Sequence, residues 1–176
     1  FHYTPKSGRA DLALRVRINE YTPVRAIAET NDGELYMTRR FVKASGGCSA
    51  PAGGDLAVAM SRLGKMKMRF KEDAAPGQPQ ATQLGISHPN LTGMQMDQLT
   101  RMYAPAHFVK NVKVTFNGEP VFSAETDISV SENPNFRFYF VPAEPGTLAA
   151  EVEDSEGMKF THTMDYPPKA PAQAQK

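Results

Sequence analysis

Tryptophan is absent and cysteine occurs once, at Cys48, so no internal disulfide can staple this chain. No run of about 18 apolar residues is present, and nothing here reads as a helix that spans a bilayer. Charge of one sign is also lacking. The formal net charge is +1 over 176 residues, and bases alternate with acids, as in Arg9-Ala10-Asp11 and Lys71-Glu72-Asp73. Nucleic-acid binding is therefore not indicated. There is no Ser-His-Asp order, and the Gly53-Gly54 pair is not followed by the Lys-Ser/Thr of a phosphate loop. The histidines His2, His88, His107 and His162 are scattered, with no pair at ligand spacing, so neither a cofactor nor a metal is expected. The chain opens at Phe1 without an initiator methionine or a signal-peptide pattern, which reads as a processed or cut product.

Fourteen prolines, thirteen glycines, ten phenylalanines and six tyrosines suit short strands joined by many turns. From Asp11 to Ile18 the residues alternate polar and apolar after Ala13, the period of a half-buried strand that would cover Leu14, Val16 and Ile18. Residues 24–29 and 34–42 flank Asn31-Asp32-Gly33 and predict a hairpin. Three strands without upstream partners cannot bury both faces, so this block reads as part of a β-sandwich whose beginning is absent. Asp55 caps a short predicted helix over 56–63 that Gly64 stops.

Strand signals resume at 65–70 and 81–88, separated by a Pro/Gly-rich loop from Glu72 to Gln80. The polar, methionine-containing stretch from Pro89 to Ala106 has no clear period and reads as a loop with room for one helical turn around Gln95 to Arg101. Asn117-Gly118 between alternating strands 108–116 and 119–124 is the strongest hairpin signal of the chain. Strands over 135–141, 147–153 and 158–164 bring the second block to about seven, at sandwich-like spacing. The chain is thus expected to be all-β. Its divisions are residues 1–43, an arm and connector helix over 44–64, a sandwich over 65–166, and a disordered tail over 167–176 rich in Ala, Pro, Gln and Lys.

Cys48 stands between Ala44-Ser45-Gly46-Gly47 and Ser49-Ala50-Pro51-Ala52-Gly53-Gly54, where no neighbour is large enough to form a core. A structural cysteine sits among Val, Leu or Phe. Here Gly46 and Gly47 give the backbone freedom, and the segment reads as a flexible tether that displays a reactive or carrier thiol. Lys43, Arg39 and Arg40 upstream would raise the thiolate fraction or attract an anionic sulfur species, although charges that guard an edge strand serve equally well. No fixed general base accompanies the thiol, so the chain is read as a carrier and not an enzyme. Nine methionines raise the alternative of Cu(I) ligation by Met94, Met96, Met102, Met60, Met66 and Met68. Met66 and Met68 alternate along a strand and Met60 lies on a helix face, where methionine ordinarily packs.

The residues Val42-Lys43-Ala44-Ser45-Gly46-Gly47-Cys48, with Glu29 to Tyr36 and Phe1-His2-Tyr3-Thr4-Pro5 before them, resemble the end of SoxY, the subunit of the bacterial Sox system that holds sulfur intermediates on a cysteine arm. Ile86 to Gly93, Pro105-Ala106-His107-Phe108, Asn117 to Phe122, Asn133 to Phe140 and Asp154-Ser155-Glu156-Gly157 resemble its partner SoxZ. Both on one chain look like the fused SoxYZ-like carriers associated with quinoprotein dehydrogenases. The resemblance implies two immunoglobulin-like β-sandwich domains, the first N-terminally incomplete. It also implies covalent attachment of a sulfur-containing small molecule to Cys48, on an arm made flexible by Gly46 and Gly47. Implied partners are Sox-type or quinoprotein redox enzymes in the periplasm, with a dimer of the chain as a further possibility, and neither nucleic acid nor membrane. Where SoxY ends Gly-Gly-Cys-Gly-Gly, this chain continues Ser49-Ala50-Pro51 into a second domain, so the arm is anchored at both ends. Six residues from Val42 to Cys48 bound its reach at about 20 Å. The rival reading is a non-covalent β-sandwich accessory module in which Cys48 has no role.

Overall fold

Ten strands and one short helix are present among the described residues of a computed structural model, which are all except 45, 51–54, 72–73, 98–99 and 168–176. In chain order they are β1 (His2–Tyr3), β2 (Thr22–Glu29), β3 (Leu35–Val42), α1 (Leu56–Ser61), β4 (Met66–Phe70), β5 (Gln80–Ile86), β6 (Val109–Phe116), β7 (Glu119–Glu125), β8 (Asn135–Phe140), β9 (Gly146–Asp154) and β10 (Lys159–Tyr166). The seven strands from β4 onward form the sandwich that period-two patterning predicts. On β5 every second residue from Gln80 to Ile86 is buried, and β8 turns Phe136, Phe138 and Phe140 inward. The small sheet has the order β4-β5-β8 and faces a larger one of order β1-β7-β6-β9-β10. Between them lie Leu84, Ile86 and the three β8 phenylalanines against Val112, Val114, Phe122, Leu148 and Ala150. Phe122 of the large sheet stacks on Phe138 of the small one at 5.6 Å. Each fully buried side chain of this size stabilises the fold by about 1.5–3 kcal/mol, so this layer is the principal source of cohesion.

The β6–β7 turn takes φ 50° at Asn117 and 82° at Gly118, the paired positive values of a type I′ hairpin. Asn117 also accepts the Thr147 N–H on Oδ1 at 2.9 Å, which ties the turn to β9. Asp55 caps α1 by accepting the Ala57 N–H at 2.8 Å, and Gly64 ends the connector with φ 74°. A Cβ on Gly64 would strike the Phe160 ring, so glycine is required there by space as well as by φ.

The first block divides in two. Residues 1–19 lie on the sandwich: β1 pairs with β7, Ser7 Oγ donates to the Val121 carbonyl at 2.5 Å, and Leu12 and Leu14 pack against the core. The strand expected over Asp11 to Ile18 does not form. Ala13 exchanges backbone bonds with Arg137 of β8, whereas Val16 bridges Val130, so the segment pairs with two different stretches and completes a ladder with neither. Val16 remains 47% exposed. The hairpin β2–β3 forms as its turn predicts, but as a separate two-stranded sheet with nearly every residue exposed. In the long loop, the expected helical turn around Gln95 to Arg101 contains residues 98–99, which lie outside the described residues, as does the tail from 168; the Arg101 N–H donates to the Asp97 carbonyl at 2.8 Å.

Candidate functional site

Cys48 is not on display. It sits in a 3-10 turn, Gly47–Ser49, with only 4% of its surface exposed. Its N–H donates to Asn19 Oδ1 at 2.5 Å and its carbonyl accepts from Thr92 Oγ1 at 2.6 Å. One turn further, the Ala50 carbonyl accepts from Gln95 Nε2 at 3.2 Å. The tether expected to swing freely is therefore docked at Cys48 and Ala50. Small neighbours in sequence cannot bury a thiol, but remote residues can, and Asn19, Thr92 and Gln95 were not among the expected site residues. The glycines serve a fixed turn: Gly46 has φ 91° and Gly47 has φ 46°. A Cβ on Gly47 would collide with the backbone of Asn19, so this close approach needs glycine. Gly53 and Gly54 lie outside the described residues.

Arg39, Arg40 and Lys43 are exposed on and just after β3, while Cys48 is bonded through its backbone to Asn19 and Thr92. Met68 is buried in the core and Met66 packs against it, whereas Met60, Met94, Met96 and Met102 are exposed.

Beneath the platform that holds the arm, the topology joins two histidines that the sequence separates. His88 follows β5 of the small sheet and His107 precedes β6 of the large one, and their rings meet edge to face at 4.6 Å. The β6–β9 register sets Asp154 opposite Val109, which brings its carboxylate to the pair. His107 Nε2 lies 2.8 Å from Asp154 Oδ2 and His88 Nε2 lies 3.6 Å from the same oxygen. Asp154 Oδ1 accepts the N–H groups of Glu156 and Met158, both at 2.9 Å. Burial raises the Asp154 carboxyl, but the bond with His107 and these two N–H groups outweigh it and hold it below its ordinary range. Burial, with His107 adding to it, pushes His88 down to about 4.

These three side chains offer ligand atoms within 4.8 Å of one another, so their fit to a cation follows from the donor set. A histidine ligand donates its second ring N–H to a neighbour. His88 does the reverse. Its Nδ1 accepts the Asn90 N–H at 3.0 Å, which places the proton of the neutral ring on Nε2, the atom that faces Asp154 without a hydrogen-bond partner. The cluster is a clasp between sheets in which His107 is hydrogen-bonded to Asp154 and the His88 ring packs edge to face on His107. In the sequence His88 and His107 show no pairing at ligand spacing, and no local spacing marks Asp154 as their partner.

Residues 68–165 match the family model of the sulphur oxidation protein SoxZ, and residues 1–48 match that of the sulfur oxidation protein SoxY. No curated protein matches the chain.

Proposed function

Because the chain belongs to the SoxZ sulphur-oxidation family and opens with a SoxY match, we propose that it carries sulfur intermediates covalently on Cys48 and presents them to Sox-type or quinoprotein redox enzymes of the periplasm. The observation that carries this reading is that the SoxY match runs to residue 48, where the chain has its only cysteine. Loading needs no resident cofactor. The Cys48 thiolate attacks one sulfur of a donor R–S–S–R′, forms Cys48–S–S–R and releases R′–S⁻, so the donor's own S–S bond supplies the oxidising equivalents. The turnover chemistry then belongs to the partner.

The burial of Cys48 favours a second reading, a non-covalent accessory module, and one experiment separates the two. The intact mass of protein purified from its native host is measured before and after reductant, for the natural chain and for Cys48→Ser. A carrier shows a reductant-labile mass that the variant lacks. The same labile adduct on Cys48→Ser, or none on either protein, overturns the carrier.

A further inference from the structure

Three side chains outside the arm bind its backbone, and they do so in an interlocked way. Thr92 Oγ1 donates to the Cys48 carbonyl and accepts the Met94 N–H at 3.1 Å. Gln95 Oε1 accepts the Thr92 N–H at 3.2 Å while its Nε2 donates to the Ala50 carbonyl. Thr92 and Gln95 are each 4% exposed, so these groups are committed to one another and to the arm. Asn19 closes the arrangement from the other side through the Cys48 N–H. We propose that Asn19, Thr92 and Gln95 form a latch that holds residues 48–50 closed over the second domain, and that the Cys48 thiol meets reagents only when this latch opens.

The platform is the fixed member. Leu91 and His107 exchange backbone bonds of 2.7 and 3.0 Å, and the Asn90 side chain donates to the Val130 carbonyl and accepts the Val109 N–H. All of those partners belong to the second domain, beside the His88, His107 and Asp154 clasp. The described part of the arm is held by the bonds to Asn19, Thr92 and Gln95 and enters through Gly46 and Gly47, so opening moves the arm and leaves the loop in place. A hydrogen bond of this kind is modest net of solvent, roughly fivefold in an equilibrium, which makes three of them worth on the order of a hundredfold. That is enough to keep the thiol closed and small enough for a docking partner to overcome. The groups of the latch are amides and a hydroxyl, which do not themselves ionise between about pH 5 and 8. As a gate on the carrier, the latch rests on the function proposed above; as a gate on the thiol, it does not.

The test is the alkylation rate of Cys48 in the folded chain by iodoacetamide, whose iodide leaves as sulfur bonds to carbon. Thr92→Val and Gln95→Leu should each accelerate alkylation roughly fivefold, and the double variant further. Amide exchange supplies the second readout: the Cys48 N–H should exchange faster in the variants while core amides such as those of Val114 and Leu148 keep their protection. Unchanged alkylation in the variants overturns the latch, and so does an acceleration matched by an equal loss of core protection. A natural protein without any cargo would instead overturn the carrier and leave these rates as they are.

Discussion

At the scale of single residues, the most consequential ionisable group is His88. It is 1% exposed, and its Nδ1 is already taken by the Asn90 N–H, so a second ring proton would have to displace that bond inside the fold. The sign of the pH dependence follows. The unfolded chain takes up this proton near 6.5 and the folded chain near 4, so stability is fully present above about 6.5 and is lost as the pH falls toward 4. Between pH 7 and 5 the loss amounts to about 2 kcal/mol. Asp154 is depressed and acts in the same direction, but only at pH values below the ordinary carboxylate range. The urea midpoint of the natural chain should therefore drop between pH 7 and 5, and His88→Gln should show a flatter dependence whatever its absolute stability. A pH-independent midpoint in the natural chain would contradict the assignment.

Among the elements, two glycines with the same backbone requirement differ in their surroundings, and the difference is measurable. Gly118 has φ 82° with open space around it, and Gly64 has φ 74° with the Phe160 ring in the way. Alanine at 118 should cost about 1–2 kcal/mol through the left-handed conformation alone. Alanine at 64 should cost about 1–3 kcal/mol more, since the ring must also shift. Equal denaturant midpoints for the two variants would show that Phe160 yields freely. The contrast also marks what the sequence makes legible. The Asn117-Gly118 turn, the Asp55 cap and the strand over 135–141 are local signals, and each appears as expected, the last as β8. The alternation from Asp11 to Ile18 is equally local, yet its pairing depends on Arg137 and Val130, which belong to different stretches. For Cys48 the small neighbours are plain in the sequence, whereas the groups that hydrogen-bond the arm stand 29, 44 and 45 residues away from the arm residues they bind. Exposure was the property least open to sequence reasoning because remote hydrogen bonds decide it. The two histidines are scattered in the sequence, and Asp154 reaches them only through the β6–β9 register.

For the whole molecule, attachment is uneven along the first 43 residues. Arg17 is pinned, its Nη1 donating to the carbonyls of Asn90 at 2.9 Å and Val130 at 2.7 Å. A few residues on, the chain leaves the sandwich as β2–β3, where Ile27, Leu35, Tyr36, Met37 and Phe41 are exposed and Arg25 stands directly opposite Arg39. Like charges at opposed positions weaken a strand pair, and a two-stranded sheet without a covered face is marginal. Local opening of this hairpin should therefore require far less free energy than opening of the sandwich, whose Arg69, Lys113 and Arg137 lie on β4, β6 and β8. Limited trypsin digestion of the folded chain, followed by mass spectrometry, tests this ordering. Cuts after Arg25, Arg39, Arg40 or Lys43 should precede those after Arg69, Lys113 and Arg137 by at least roughly tenfold in rate, with Arg17 behaving as part of the resistant body. Cleavage at Arg137 as early as at Arg39 would mean that the hairpin and the sandwich open together, and that the first block is held as firmly as the second.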